Sequence, residues 1–235
     1  MLSAEALRLA LIEVLLPTDV ATSGAAYPTL AAGRVYDSRP APVEDLDRAD
    51  DTALPCLSIF TTSSGVNLRG DASSNWDTIA YTEIEIVAEL MVKVQDDDGA
   101  FADAAETDPE GRMILAALCS QVRRLIDVSP LVRKIVRKIE DLDEPTFAVP
   151  ELGLRYHRIM MKYRFSIKDD VFSQAGGLPE PCASVLAALP TQSYARAKLE
   201  ALALQFPAQN PMPFEGVDMR TGSIVPGATV NFPSS

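Results

Sequence analysis

Along residues 78–94 apolar and polar side chains alternate: Ile84, Ile86, Ala88, Leu90, Val92 and Val94 share one parity, and Glu83, Glu85, Val87, Glu89, Met91 and Lys93 the other. A period of two is that of a strand with one buried and one wet face. Residues 155–168 repeat the pattern with opposite charge, Ile159, Met161, Tyr163, Phe165 and Ile167 alternating with Arg158, Met160, Lys162, Arg164 and Ser166. If the two strands pair, acids stand opposite bases. Each exposed pair then contributes roughly 0.2–1 kcal/mol and helps to fix the register.

The remaining pattern is helical or broken. Leu7, Leu11, Val14 and Leu15 form the stripe of an amphipathic helix that Ser3 can cap and Pro17 ends. Residues 18–42 leave room only for a short strand at Gly33–Asp37. The acidic stretch Glu44–Asp51 leads into a strand at Leu54–Thr62, and the Ser-, Gly- and Asn-rich run Ser63–Asp77 predicts a long hairpin loop. Asp108 and Pro109 mark the start of the main helix, which carries Ile114, Leu115, Leu118, Val122, Leu125 and Ile126. Ser129 and Pro130 repeat the start signal, and Ile135–Leu142 reads as a turn of helix followed by a strand.

These elements predict an α+β fold: a mixed or antiparallel sheet of long strands flanked by helices over residues 1–172. Residues 173–235 read as an extension. Gly176, Gly177, Pro179 and Pro181 suggest a linker, Tyr194–Phe206 one helix, and Pro207–Ser235 a Pro- and Gly-rich tail. Within the tail, Ile224–Phe232 is able to add as an extended strand to an exposed sheet edge.

Composition narrows the function classes. A length of 235 residues holds one substantial core or one domain with an appendage. The net charge of −12 argues against a surface that neutralises nucleic-acid phosphates, but a negative wall suits a passage through which DNA slides without sticking. Cys56, Cys119 and Cys182 are widely spaced and form no CxxC pair, which points away from disulfides and thiolate metal sites and towards a reducing cytoplasm. The apolar stretch Leu2–Leu16 carries Glu5, Arg8 and Glu13 and is too short to span a bilayer.

Residues that could carry chemistry are sparse. His157 is the only histidine, so no multi-histidine metal site or histidine triad can form within one chain. Its parity is that of the apolar strand face. Asp96, Asp97, Asp98 and Gly99 resemble part of a calcium loop, but Thr107 stands where the loop needs a Glu. With Asp103, Glu106 and Asp108, these acids suit the positive N-terminus of the helix that follows. Arg133, Lys134, Arg137 and Lys138 alternate with Val132, Ile135, Val136 and Ile139, as on the wet side of an amphipathic element. No GxSxG elbow, phosphate-cradling loop or dinucleotide fingerprint is present. The expectation is therefore a chain without catalytic residues, metal or cofactor, whose function lies in its surfaces.

The element order is similar to a known family. Leu7-Arg8-Leu9-Ala10-Leu11-Ile12, Gly33-Arg34-Val35-Tyr36-Asp37 and Leu54-Pro55-Cys56-Leu57-Ser58-Ile59 carry the first part of the likeness. Trp76-Asp77-Thr78, Glu83-Ile84-Glu85-Ile86-Val87, Ser129-Pro130-Leu131 and the strand Tyr156–Ile167 carry the rest. Over residues 1–170 the chain resembles the tail terminator proteins of long-tailed bacteriophages. The resemblance implies a homo-oligomeric ring, typically a hexamer, that caps the tail tube protein, stops its polymerisation and joins a neck or head-completion protein. It also implies a virion location after synthesis in the host cytoplasm, with DNA passing through the lumen and no membrane partner.

Two sets of residues are candidates on that reading. Asn67, Arg69, Asp71 and Trp76 form a candidate partner-docking loop, because exposed Trp and Arg in a loop make binding hot spots, the plainer alternative being a Trp76 folded onto the edge of the core. Glu83, Glu85 and Glu89 form an intersubunit or lumen strip, the plainer alternative being a solvated or internally paired sheet face. The competing functions are another neck component, such as a stopper or head-completion protein, and a hydrolase using unrecognised carboxylates in a deep pocket.

Overall fold

The computed structural model describes residues 1–40, 53–68, 78–93, 104–151 and 154–208. It is α+β, with one mixed sheet flanked by helices, as the sequence predicts. Strands β1 (Val35–Asp37), β2 (Ala53–Leu68), β3 (Thr78–Lys93), β4 (Val136–Asp143), β5 (Thr146–Glu151) and β6 (Leu154–Ile167) lie in the order β1-β2-β3-β6-β4. β5 continues along the same edge of β6 that β4 occupies, so the six strands make a sheet five wide. β1 runs parallel to β2, and the other pairings are antiparallel.

The charge-matched pairing of the two long strands is present. Glu83 faces Arg164, Glu85 faces Lys162 and Glu89 faces Arg158 across β3 and β6. On the other parity Ile84, Ile86, Met161, Tyr163, Phe165 and Ile167 are fully or almost fully buried in one core with the helices. Helix α3 (Ala104–Val128) lays Leu115, Leu118, Val122 and Ile126 onto that face at helical spacing. It begins about a turn before the expected start, with Pro109 inside it. A short 3-10 turn at Val132–Lys134 leads into β4; the strand expected within Ile135–Leu142 is present, and the turn falls just ahead of that range.

Helix α1 (Leu2–Leu15) differs from its expected one-sided stripe. Ala4, Ala6, Leu7, Leu9, Ala10, Leu11, Ile12 and Leu15 are all buried, which is apolar most of the way round. The reason is a second cover. Helices α4 (Cys182–Ala188) and α5 (Tyr194–Ala203) place Cys182, Val185, Ala195 and Leu199 in the same core cluster as α1, joined by Leu178 and Leu189 from the segments flanking α4. The described part of the C-terminal extension thus packs on α1, and Glu180, in the stretch expected to be a linker, forms a β-bridge with Val171 ahead of it.

Ser3 does not cap α1. Its side chain makes no cap hydrogen bond, and the carboxylate of Asp170 accepts from the backbone N–H groups of Leu2 (2.9 Å) and Ser3 (2.8 Å) instead. An acid at this place satisfies two free donors and opposes the positive end of the helix. Helix α2 (Thr18–Ser23) and strand β5 answer to no element in the sequence reading. Among the described residues no helix is long and apolar enough to cross a membrane.

Strand β2 also runs six residues beyond its expected end, to Leu68. The extension follows a bulge between Thr61 and Ser63. Thr82 Oγ1 donates to the Ser63 carbonyl at 2.8 Å, and Gly65 lies beneath the ring of its cross-strand partner Tyr81. A Cβ at Gly65 would stand 2.9 Å from the Tyr81 hydroxyl oxygen, so a side chain there displaces the tyrosine.

Candidate functional site

The open face of the sheet is built by the residues between those of the core. β2 contributes Cys56, Ser58 and Phe60, β3 Glu89, Val87 and Glu85, and β6 Arg158, Met160 and Lys162, in matching rows. Glu89 is 4% exposed although it lies on the parity opposite to the helix-covered core. Arg158 Nη2 donates to Glu89 Oε1, and the arginine side chain, 43% exposed, lies between the carboxylate and water. The Cys56 Sγ–H donates to the Glu89 carbonyl at 3.7 Å, and Arg34 Nε donates to the Pro55 carbonyl at 2.9 Å on the same strand. Burial, helped by the negative charge of Glu89, pushes the Cys56 thiol up to about 12.

Further along, Arg164 is shared. It reaches Glu83 at 3.5 Å and Glu140 at 3.3 Å, and its guanidinium stands over the Tyr81 ring, 5.3 Å from the centroid. The strip Glu83, Glu85 and Glu89 is therefore matched base for acid by Arg164, Lys162 and Arg158 within the sheet. Any contact the strip makes with another subunit or a lumen is made by a face already balanced in charge.

The docking-loop candidates are divided. Asn67 is exposed near the end of β2, opposite Ile79, while Arg69, Asp71 and Trp76 lie outside the described residues. Beside Asn67, Val66 and Leu68 are 48% and 57% exposed. Both have the parity of the helix-covered face, pairing with Ala80 and Thr78, so the hairpin outruns its helices. His157 stands opposite Leu90 in the register, on the apolar parity. Asp96, Asp97, Asp98, Gly99 and Asp103 lie outside the described residues. Arg133 is exposed and donates to the Asp127 carbonyl at 2.7 Å, and Arg137 and Lys138 face solvent on β4.

A cleft of about 570 Å³ opens between the end of α1, α2, β1 and the start of α5. Its acids are engaged by the chain itself. The Glu13 carboxylate accepts from the Thr18 N–H (2.9 Å), the Thr18 hydroxyl (2.9 Å) and the Ser193 hydroxyl (2.5 Å). Ser193 in turn accepts from the Arg196 N–H at 3.3 Å as the cap of α5. Asp37 pairs with Arg8 and accepts from the Tyr194 hydroxyl at 2.9 Å. This node ties α1, α2, β1 and α5 together. Sequence reasoning missed it, since Glu13 and Ser193 are 180 residues apart.

Cys119 and Cys182 are buried like Cys56, and burial pushes both thiols up to about 12. Among the described residues no group of three His, Cys, Asp or Glu side chains is placed to hold a metal ion. No protein-family model matches the chain, and no curated protein matches its sequence.

Proposed function

We propose that the chain is a structural virion subunit of the tail-terminator kind, which closes into a six-membered ring, caps the tail tube and joins the tail to the head. The observation that carries this reading is the one-sided layering of the sheet. Helices cover one face, while the other is a charge-balanced ladder beside a hairpin that carries Val66 and Leu68 past the helices into solvent. Flat polar faces and projecting hairpins suit contacts with other subunits, which a closed ring needs in a head-to-tail arrangement. The acid groups of the described cleft are taken up in holding elements together, which leaves the surfaces as the working parts. A net charge of −12 is compatible with DNA passing through the lumen without binding.

The test is purified protein added to growing tail tubes, followed by light scattering and negative-stain microscopy. Density capping one end of each tube, with growth halted, is the expected result. A monomer that leaves tube growth unchanged overturns the reading, and binding to a portal-side adaptor in place of the tube moves the subunit to another position in the neck.

A further inference from the structure

The two edges of the sheet are built differently. β4, at one edge, has bulges between Val136 and Lys138 and between Ile139 and Asp141, and carries Arg137, Lys138, Glu140, Asp141 and Asp143. Bulges and charges are how proteins keep a strand edge from pairing with another chain. β2, at the other edge, is covered by β1 only at Leu57–Ile59. From Ser63 to Leu68 it has no charge and no proline, and among the described residues nothing pairs with its outer side.

The phase of that edge follows from the covered part. Leu57 N–H donates to the Arg34 carbonyl and the Ile59 carbonyl accepts from Ser38 N–H, so both residues turn their backbone groups outward. The extra residue at the bulge carries this phase to Ser64, Val66 and Leu68. Their side chains share one parity, with Val66 and Leu68 exposed, and the other parity holds Ser63, Gly65 and Asn67. A strand that fits here is uncharged, apolar on one side and small or polar on the other.

The chain contains such a segment. Residues 221–235 carry no Asp, Glu, Lys or Arg, and Ala228, Val230 and Phe232 alternate with Gly227, Thr229 and Asn231. Its root is held to the described fold. Ala208 packs against Gly176, where a Cβ would stand 2.5 Å from the Ala208 nitrogen, and Gly177 N–H donates to the Phe206 carbonyl. That turn follows Asp170, which binds Leu2 and Ser3, and the amino group of Met1 lies 3.3 Å from Ser64 Oγ on the edge itself. The 19 residues from Ala208 to Gly227 reach about 60 Å when extended. A tether of this kind keeps the segment at an effective concentration on the order of millimolar.

We infer that residues 227–232 dock in cis as an added strand on the outer edge of β2, covering Val66 and Leu68. The inference holds whether or not the chain closes into a ring. It is tested by hydrogen exchange on the full chain over a range of protein concentrations. Val230→Pro removes a strand N–H, and Phe232→Asp sets a charge against the uncharged edge. Either variant is expected to speed exchange at the amides of Ser64, Val66 and Leu68 at least tenfold while leaving those of Ile84 and Phe165 unchanged. Equal exchange at the three amides in the unaltered chain and both variants overturns the inference. Protection that disappears on dilution also overturns it, and assigns the edge to a strand from another copy.

Discussion

The same three strands bury their two faces by different means. On the covered face, α1 and α3 press apolar side chains onto Ile84, Ile86, Tyr163 and Phe165, and the gain grows with the area removed from water. On the open face, Cys56, Ser58, Val87 and Glu89 are buried too, but Cys56 and Val87 stand apart from the helix-side core. There the roof is polar. Arg158 pairs with Glu89, the arginine side chain 43% exposed and the acid side chain 6%. The first face tolerates only loss of stability when its volume changes, whereas the second depends on which member of a pair is removed.

The largest expected departure is alkaline. The three thiols ionise near 9 when unfolded and near 12 when folded. The raised folded values mean that the unfolded chain releases protons first, so stability is constant below pH 9 in this respect and falls as pH rises towards 12. One unit above 9 the three together cost about 4 kcal/mol. Thermal unfolding across pH 8–11 checks this: a flat profile would overturn it for all three thiols, and a fall about one third smaller in Cys56→Ala than in the unaltered chain assigns the open-face thiol its share.

Phe165→Ala, on the covered face, is expected to cost about 3–5 kcal/mol in urea denaturation, because it leaves a cavity where the ring stacks on Tyr163 at 5.2 Å. On the open face the order of effects separates the partners of one pair. Arg158→Met strands a buried carboxylate and is expected to cost about 3 kcal/mol, whereas Glu89→Gln leaves an arginine that water can reach and costs about half as much. Equal losses would mean that the two side chains are equally enclosed. Glu83→Gln is expected to change stability by less than about 1 kcal/mol, since Glu83 and Arg164 are both well exposed and Arg164 keeps Glu140.

How much of this was readable in the sequence depends on how local its cause is. The long strands, the stripe of α3 and the acid-base register all follow from alternation within single segments, and all are present. The wrapping of α1 was not readable, because its second cover comes from Val185, Leu189 and Leu199 far along the chain. The extension of β2 was hidden by composition. Ser63, Ser64, Gly65 and Asn67 read as loop, and only Tyr81 and Thr82 on the partner strand make them a strand. A glycine opposite a tyrosine within a predicted hairpin is the signal that could have found it. The node at Glu13 left no such trace, although a Ser just ahead of the α5 run does mark a cap.

The bond between Asp170 and the start of α1 also sets an order of events during synthesis. Helix α1 has its N-terminal donors closed by a residue made 168 positions later than Leu2, and its outer side covered by helices later still. Until those residues leave the ribosome, the apolar segment of α1 has no finished place to rest. It must either hold to the ribosome surface and chaperones or wait against a partial sheet, so residues made well after α1 govern when that helix becomes native.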